Sequence, residues 1–541
     1  MDKTAPDPTV AAITGQMELS VRDAAASVLV ALLFGFLVRR WVKRTPRVMA
    51  RDTRRGHRWS HTGMFSQPSY CNICESLLMT SRGAFCDACG VCACPTCVRP
   101  ANKQLTCKAV TSREASHKHH WVQGNLPFDS TCEVCDSSVG DSPELTGQRC
   151  CWCHRTIHDQ CRKNISEVCD LGEFSQYIVP PTCVKVRATT TVPRRLTVAQ
   201  VSRPATSTGA GADKPWTPLI VLGNRKSGST DAEQVLSAFR RYLNPAQVVD
   251  LGDQRPEDGL EWCHLVGPER CRVLVAGGDG TVDWVLNAIE NLKLQPPPAV
   301  GILPLGTGND LSRVLGSGEA YVEVDPEQVL RRLQRAEVIN VDRWLVQLDP
   351  VRHVHLPGST VRMTNYVSLG VDALVTLNFH KTRESPHYLW SSRLVNKLIY
   401  FCYGTKDVLE RECQHLQQKL TLKMDGREVE LPDIEALVVQ NIATWGAGVR
   451  PWELGQGAGA AGVQRPDDGL LEVFCVYSSF HVAQMQVGLS EPLRLGQARS
   501  VEISLRSKVP MQLDGEPWEQ GPCVIRVSHH NQARMLRMSR A

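Results

Sequence analysis

Residues 273–289 read V-L-V-A-G-G-D-G-T-V-D-W-V-L-N-A-I. The four apolar residues at the start predict a buried strand, and the glycines that follow predict a tight turn around Asp279. Apolar residues then recur with the spacing of an amphipathic helix, at Val282, Val285, Leu286 and Ile289. The stretch therefore predicts a strand that turns on glycines into a helix.

Such a turn is suited to a phosphate anion, because the unpaired N–H groups and the positive end of the helix dipole meet there. Glycines let the backbone approach the ligand, and Asp279 supplies an oxygen for a Mg²⁺ that bridges phosphate oxygens. The alternative is a β-hairpin, because Asp-Gly is a common hairpin turn. Strand periodicity would then resume, whereas helical periodicity follows here.

Composition narrows the class of protein. The chain has 541 residues and a net charge of +5, so it is long enough for two or three domains and not basic enough for a dedicated nucleic-acid binder. Of its 22 cysteines, 15 lie within residues 71–169, in Cys-x-x-Cys pairs with histidines between them. This spacing favours zinc in a reducing compartment over disulfides, which would require secretion.

The N-terminal region predicts membrane association. Residues 1–20 form a tail, and residues 21–42 form a hydrophobic segment whose uncharged part, 24–38, is followed by a basic run. As a helix that part spans about 22 Å, less than the ~30 Å hydrocarbon core, so spanning and re-entrant arrangements both stay open. A buried core helix and a cleaved signal peptide are the alternatives. If the segment spans, the positive-inside rule keeps everything after it cytosolic.

Two cysteine clusters predict zinc fingers at residues 57–107 and 119–169, each with eight N/S ligands and hence two tetrahedral Zn²⁺ sites. The first set is His57, Cys71, Cys74, Cys86, Cys89, Cys94, Cys97 and Cys107. The second set is His119, Cys132, Cys135, Cys150, Cys153, His158, Cys161 and Cys169.

Residues 184–214, rich in Thr, Ala, Pro and Gly, predict a linker, and residues 215–345 predict an α/β lobe. Three apolar strands end in small polar turns, at residues 223–229, 277–281 and 304–310. In a parallel sheet these turns gather at the carboxyl edge, where ligands bind. Residues 346–530 predict a β-rich lobe with strands and Asp-Gly turns. Asp425-Gly426 predicts an ordinary hairpin. Glu516, directly after Asp514-Gly515, is a candidate catalytic residue.

The cysteine pattern resembles the C1 (diacylglycerol/phorbol-ester type) zinc finger, in which the two zinc sites interleave. The resemblance implies one zinc on His57, Cys86, Cys89 and Cys107 and another on Cys71, Cys74, Cys94 and Cys97. In the second finger it implies His119, Cys150, Cys153 and Cys169, then Cys132, Cys135, His158 and Cys161.

The motifs G-G-D-G-T, P-L-G-T-G-N-D and L-D-G-E-P-W resemble the diacylglycerol kinase catalytic domain over residues 216 to 528. The resemblance implies a two-lobed kinase with a Rossmann-like nucleotide lobe and a β-rich lobe, holding ATP and Mg²⁺ between them. It implies transfer of the γ-phosphate of ATP to the hydroxyl of 1,2-diacylglycerol, giving phosphatidic acid. It also implies a preference for polyunsaturated (arachidonoyl) species in phosphatidylinositol turnover. The hydrophobic segment and its basic flank predict a place on the cytosolic face of a membrane, the endoplasmic reticulum or the plasma membrane.

The same resemblance assigns roles to residues. Asp279 holds the catalytic Mg²⁺ and Glu516 is the general base, with Asp279 the alternative base. The nucleotide-binding residues are Asn224, Ser227, Gly277, Gly278, Gly280, Thr281, Gly306, Thr307, Gly308 and Asn309. Asp467 and Asp468 match a stretch that holds a structural Mg²⁺ in bacterial relatives. Two alternative functions stay open. One is a lipid kinase that acts on ceramide, a sphingoid base or monoacylglycerol, and the other is a non-catalytic zinc-finger adaptor.

Overall fold

The computed structural model describes residues 46–51, 56–62, 68–78, 83–140, 145–189, 196–204, 215–225, 231–320, 325–350, 358–383, 413–454 and 462–539. Residues 47–541 form one compact unit, and residues 1–46 are divided from it. The predicted membrane segment, residues 21–42, lies outside the described residues. Within the described ranges, every helix is too short or too polar to cross a bilayer.

Each zinc finger is built on a three-stranded antiparallel sheet. The first described element is β1 (Met49–Ala50). The first finger follows with β2 (Trp59–Thr62), β3 (Gly83–Cys86), β4 (Cys92–Ala93) and helix α1 (Val98–Gln104). The second finger contains β5 (Trp121–Gln123), β6 (Gln148–Cys150) and β7 (Thr156–Ile157).

Residues 184–214, predicted as a linker, contain two strands. These are β8 (Val184–Ala188) and β9 (Leu196–Val201), and β9 pairs with both β8 and β1. Val184 and Val198 are buried in the core beside the parallel sheet. The linker prediction is therefore corrected, because a few alternating apolar residues suffice for a strand when a partner strand and a core are present.

The nucleotide lobe is a parallel sheet with helices on it, as predicted. Its strands are β10 (Leu219–Gly223), β11 (Val248–Asp250), β12 (Arg272–Gly277) and β13 (Ala299–Pro304), in the order β11-β10-β12-β13. Its helices are α2 (Asp231–Tyr242), α3 (Pro256–Val266), α4 (Asp279–Asn291), α5 (Asp310–Val314) and α6 (Pro326–Gln334). All residues of β10 and β13 are buried, as expected for strands covered on both faces.

The second lobe is rich in antiparallel strands. It contains β14 (Glu337–Pro350), β15 (Ser359–Met363), β16 (Tyr366–Gly370), α7 (Val371–Arg383), α8 (Leu416–Lys419), β17 (Leu420–Met424), β18 (Arg427–Val429), β19 (Ala436–Gln440) and α9 (Pro451–Leu454). It continues with β20 (Leu471–Val476), α10 (Ser479–Gln486), β21 (Leu493–Ala498), β22 (Ser500–Leu505), β23 (Val509–Leu513), β24 (Glu516–Gln520) and β25 (Cys523–Arg537). A six-stranded sheet runs β21-β20-β19-β16-β23-β24, and β17 and β18 form the hairpin predicted at residues 425–426.

The last strand joins the two lobes. β25 pairs in parallel with β13 and antiparallel with β14 and β22, so ten strands from both lobes form one sheet. The predicted fold class, two zinc-finger domains followed by a two-lobed kinase fold, is confirmed.

The fingers pack against the nucleotide lobe and share a hydrophobic core with α2. Arg240 of α2 donates to Asp87 of the first finger at 2.7 Å, and their side chains are only 2% and 0% exposed. Arg58 also contacts Asp87, at 2.9 Å. Lys108, fully buried, donates to the carbonyl oxygens of Arg240 and Arg241 near the end of α2. Buried charges persist only where they are paired, so these contacts fix the finger on the lobe.

Candidate active site

The glycine turn after β12 has the predicted form. β12 ends at Gly277, Gly278 is the N-cap, and α4 begins at Asp279. The N–H of Thr281 donates to the carbonyl of Gly278 at 3.0 Å, which closes the first helical turn. The first N–H groups of a helix lack helical partners and can bind an anion. The strand–turn–helix prediction is confirmed, and the hairpin alternative is wrong.

The turn after β13 packs directly on this first turn. A Cβ atom added to Gly306 would lie 2.6 Å from the Cα of Gly278, so only glycine allows this approach. The N–H of Leu305 donates to the carbonyl of Gly277 at 3.0 Å and holds the two turns together. The two glycine turns thus form one surface at the carboxyl edge of β12 and β13.

Asn309 shapes the second turn from within. Its φ of 52° is left-handed, a conformation that asparagine tolerates better than most residues. Its side chain accepts from the N–H of Gly306 at 3.0 Å and donates to the carbonyls of Gly306 and Glu319. This predicted nucleotide-binding residue is buried, so its described contacts hold the turn in shape.

Asp279 and Asp310 form an acidic pair between the two turns. Asp279 accepts from the N–H groups of Asp310 at 3.1 Å and Leu311 at 3.3 Å. Burial raises the pKa of Asp279, and these N–H groups partly oppose the rise. Burial, and then the charge of Asp279, raise the pKa of Asp310 to about 7. Oδ1 of Asp310 is buried without a hydrogen-bond partner in the described structure, as expected of an oxygen suited to a cation.

Glu516 faces the first turn from the second lobe. Its Oε1 lies 3.4 Å from the position that a Cβ of Gly280 would take, and its side chain is exposed. Its neighbour Asp514 is buried and accepts from the N–H groups of Thr364, Asn365 and Tyr366 at 2.7 to 2.9 Å. Burial raises the pKa of Asp514 to about 7. Asp514 therefore anchors the turn that presents Glu516 to the cleft.

The remaining predicted nucleotide-binding residues lie along the same edge. The N–H of Asn224, just after β10, donates to the carbonyl of Ala276 at 3.4 Å, next to the first turn. Gly308 is close enough to Asp279 that an added Cβ would lie 3.5 Å from its Oδ2. Thr307 lies between Gly306 and Gly308 in the second turn, whereas Ser227 is outside the described residues.

Three residues of this site were not predicted as functional. Asp310 directly follows the predicted residue Asn309 in P-L-G-T-G-N-D, and Asp514 lies two residues before Glu516 in L-D-G-E-P-W. Asn365 donates a side-chain hydrogen bond that lowers the pKa of Asp279. The available signal was the place of Asp310 directly after Asn309 and of Asp514 directly before the motif glycine Gly515. For Asn365 the local sequence does not indicate a contact with a residue so distant along the chain.

The structure gathers the predicted zinc ligands into the four quartets that the C1 resemblance implies. The ligand atoms within each quartet lie within 4.8 Å of one another. The quartets are His57/Cys86/Cys89/Cys107, Cys71/Cys74/Cys94/Cys97, His119/Cys150/Cys153/Cys169 and Cys132/Cys135/His158/Cys161. The sulfurs of Cys86 and Cys107 are 3.6 Å apart and those of Cys74 and Cys94 are 3.8 Å apart. Tetrahedral Zn²⁺ with Zn–S bonds of about 2.3 Å requires a spacing of about 3.8 Å, so the donors fit zinc.

Asp467 and Asp468, the predicted structural Mg²⁺ ligands, have protein partners. Asp467 pairs with Arg465 at 3.0 Å, and Asp468 accepts from the N–H of Leu470. Burial, followed by the charge of nearby Asp342, raises the pKa of Asp468. Among the described residues, only the four zinc-type quartets bring three or more metal-ligating side chains together, and Asp467 and Asp468 belong to none of them.

The fold and this glycine-lined acidic edge define a two-lobed nucleotide-binding protein with an N-terminal pair of zinc fingers. The family models that match are the diacylglycerol kinase catalytic domain over residues 218–344 and the accessory domain over residues 362–517. A third, the phorbol ester/diacylglycerol binding (C1) domain, matches residues 119–172.

The chain is similar to named diacylglycerol kinases. It is 32% identical to "Probable diacylglycerol kinase 3" of Caenorhabditis elegans over 87% of this chain and 63% of that protein. It is 30% identical to "Diacylglycerol kinase 2" of Arabidopsis thaliana over 94% of this chain and 89% of that protein. A solved diacylglycerol kinase structure from Bacillus anthracis has 18% identity and a TM-score of 0.36, covering 60% of this chain and 97% of that one. The chain belongs to the diacylglycerol kinase family.

Proposed function

We propose that the protein is a membrane-associated, ATP-dependent diacylglycerol kinase that converts 1,2-diacylglycerol into phosphatidic acid. The observation that carries this proposal is the pair of packed glycine turns, with Asp279 and Asp310 between them and Glu516 opposite. Family membership supports it, because the residues of this edge lie in the matched catalytic and accessory domains.

The proposed chemistry needs positioning more than covalent catalysis, because phosphoryl transfer passes through a loose transition state. The N–H groups at the start of α4 and in the second turn bind the phosphates of ATP. Asp279 and Asp310 would hold Mg²⁺, which neutralises phosphate charge when bound. Glu516, exposed beside Gly280, orients the diacylglycerol hydroxyl and accepts its proton.

The zinc fingers would each hold two Zn²⁺ ions through the quartets described above. Zinc binding to such small segments supplies most of their folding energy. Because both fingers contribute buried residues to the core shared with α2, zinc also supports the nucleotide lobe.

The finer parts of the proposal rest on the sequence. The hydrophobic segment at residues 21–42 and its basic flank would anchor the protein to the cytosolic face of the endoplasmic reticulum or plasma membrane. The anchor raises the encounter rate with a lipid substrate confined to two dimensions. The layout also resembles the epsilon type of the family, which supports a preference for arachidonoyl species in phosphatidylinositol turnover. Deleting residues 1–44 should release the protein from membranes while activity in detergent micelles persists.

The decisive experiment is a lipid panel with radiolabelled ATP and purified full-length protein in mixed micelles. The panel contains 1,2-diacylglycerols of different acyl chains, monoacylglycerol, ceramide and sphingosine. Preferential labelling of diacylglycerol is expected. Labelling of another lipid would assign a different lipid kinase, and no labelling of any lipid would favour the adaptor.

A further inference from the structure

Four arginines line a small pocket next to the second glycine turn. The pocket has a volume of about 280 Å³ and is lined by Arg313, Arg335, Arg450 and Arg537, with Glu337 the acidic residue of the lining. The arginines come from α5, the end of α6, the loop before α9 and the end of β25. Such convergence from separate elements is a feature of the fold and not a run of charge in the sequence.

The carboxylate partners of these arginines lie at the surface. The pairs are Arg313–Glu319 at 2.8 Å, Arg450–Glu453 at 2.6 Å and Arg537–Glu337 at 2.6 Å, and the three glutamates are 58% to 67% exposed. Exposed ion pairs are worth little, so a stronger anion can displace these glutamates into water. The guanidinium of Arg335 has no ion-pair partner among the described residues, which leaves its charge available.

The pocket is linked to the candidate active site by two hydrogen bonds. Nε of Arg313 donates to the carbonyl of Gly308 in the second turn at 3.2 Å. The N–H of Ala447, in the loop that ends at Arg450, donates to Oδ2 of Asp310 at 3.3 Å. An anion that draws Arg313 and Arg450 together would therefore act on the turn and on the acidic pair.

We propose that this arginine pocket binds a phosphate monoester carried on a small polar headgroup, at a site separate from the nucleotide turns. Arginine suits this ligand because its planar guanidinium forms paired hydrogen bonds to phosphate oxygens. A volume of about 280 Å³ holds a phosphate with a glycerol-sized group but excludes acyl chains, which would remain outside. The ligand is thus a lipid headgroup or a soluble phosphate ester. Binding at this pocket requires no phosphoryl transfer at the nucleotide turns.

The test compares three full-length proteins: the native chain, the pocket variant Arg335→Gln/Arg537→Gln and a matched control, Arg427→Gln/Arg506→Gln. The control removes two exposed arginines from β18 and the residue after β22, so both variants lose the same charge. Binding is measured by calorimetry, to glycerol 3-phosphate in one arm and to a water-soluble short-chain phosphatidic acid in the other, so that the proposed membrane segment does not contribute. A saturating non-hydrolysable ATP analogue occupies the nucleotide turns in both arms.

The pocket variant should bind at least about tenfold more weakly than the native chain, since hydrogen bonds to charged groups contribute about 1.5–3 kcal/mol each. The control should bind as the native chain does. Weaker binding of the short-chain phosphatidic acid alone identifies a lipid headgroup. Weaker binding of glycerol 3-phosphate alone identifies a soluble ester, and weaker binding of both identifies a site for either. Equal binding by all three proteins in both arms overturns the proposal. Should the double variant unfold, Arg335→Gln alone repeats the test, because it breaks no ion pair within the described chain.

Discussion

The contact between the two glycine turns makes Gly306→Ala a sharp test of the candidate active site. The new Cβ would lie 2.6 Å from the Cα of Gly278, whereas carbon atoms in contact prefer about 3.5–4.0 Å. Both partners are backbone, so one turn must move by about 1 Å. A misplacement of about 1 Å in a positioned reacting group costs roughly 10²-fold in rate, or about 2.7 kcal/mol.

The assay is kcat/KM for ATP with diacylglycerol in mixed micelles. Gly301→Ala is the matched control, because Gly301 lies on β13, the strand that leads into the turn of Gly306. The atoms nearest its added Cβ are flexible leucine side-chain ends at 3.4–3.5 Å. The control should stay within about twofold of the native rate, because its added Cβ meets only side-chain ends and leaves both glycine turns in place.

The alanine at position 306 can also cost about 1–3 kcal/mol of folding stability, as overpacking does elsewhere. Kinetics are therefore measured well below the melting temperature of each variant, on protein shown to be folded by circular dichroism. If Gly306→Ala retains a third or more of the native kcat/KM, the two turns do not jointly position ATP, and the proposed site is wrong.

Three further predictions concern the base, the finger contact and the acidic pair. Glu516→Gln should lower kcat by about 10²–10⁴-fold with KM for ATP unchanged. The control Glu519→Gln, on the same strand, should leave kcat unchanged. A kcat of Glu516→Gln equal to that of the native chain would show that Glu516 is not the general base. Arg240→Met leaves the buried carboxylate of Asp87 underpaired and should lower the free energy of unfolding in urea by about 3 kcal/mol. The double variant with Asp87→Asn should recover part of that loss, and simple additivity would contradict the pairing. Because the folded-state pKa of Asp310 is raised from 3.8 to about 7, stability without Mg²⁺ should fall as pH rises between these values. The Mg²⁺ concentration that gives half-maximal activity should rise about tenfold for each pH unit below 7, because protons compete with Mg²⁺ for Asp310. A half-maximal concentration that does not change with pH would exclude Asp310 as a ligand.

The parts of the molecule that depend on local pattern could be predicted. The strand–turn–helix around Asp279 follows from periodicity and glycine placement, and the hairpin at residues 425–426 follows from its Asp-Gly turn. The zinc quartets follow from cysteine spacing together with the C1 resemblance. In each case the residues that determine the structure are neighbours in sequence or belong to a known motif.

The remaining parts depend on contacts between distant segments, which periodicity does not encode. β25 returns to β13 with Met535 beside Val300, more than 200 residues earlier. Asp514 holds its turn through N–H groups at residues 364–366, about 150 residues away. Strands β8 and β9 pair with each other, and β9 also pairs with β1, which is only two residues long and lies far upstream. Composition alone does not indicate these pairings, so the sequence predicts a linker there.

The docking of the zinc fingers on α2 has a consequence for how the chain is made. Domains tend to fold in the order in which the ribosome releases them, so the metal-bearing modules emerge before the helix that covers them. Helix α2, with Arg240, then packs against the fingers that have already folded. In a cell without enough zinc during synthesis, the nucleotide lobe would therefore lack the folded fingers that cover part of its apolar surface. A recombinant fragment that starts at residue 215 exposes the same surface and should be poorly soluble.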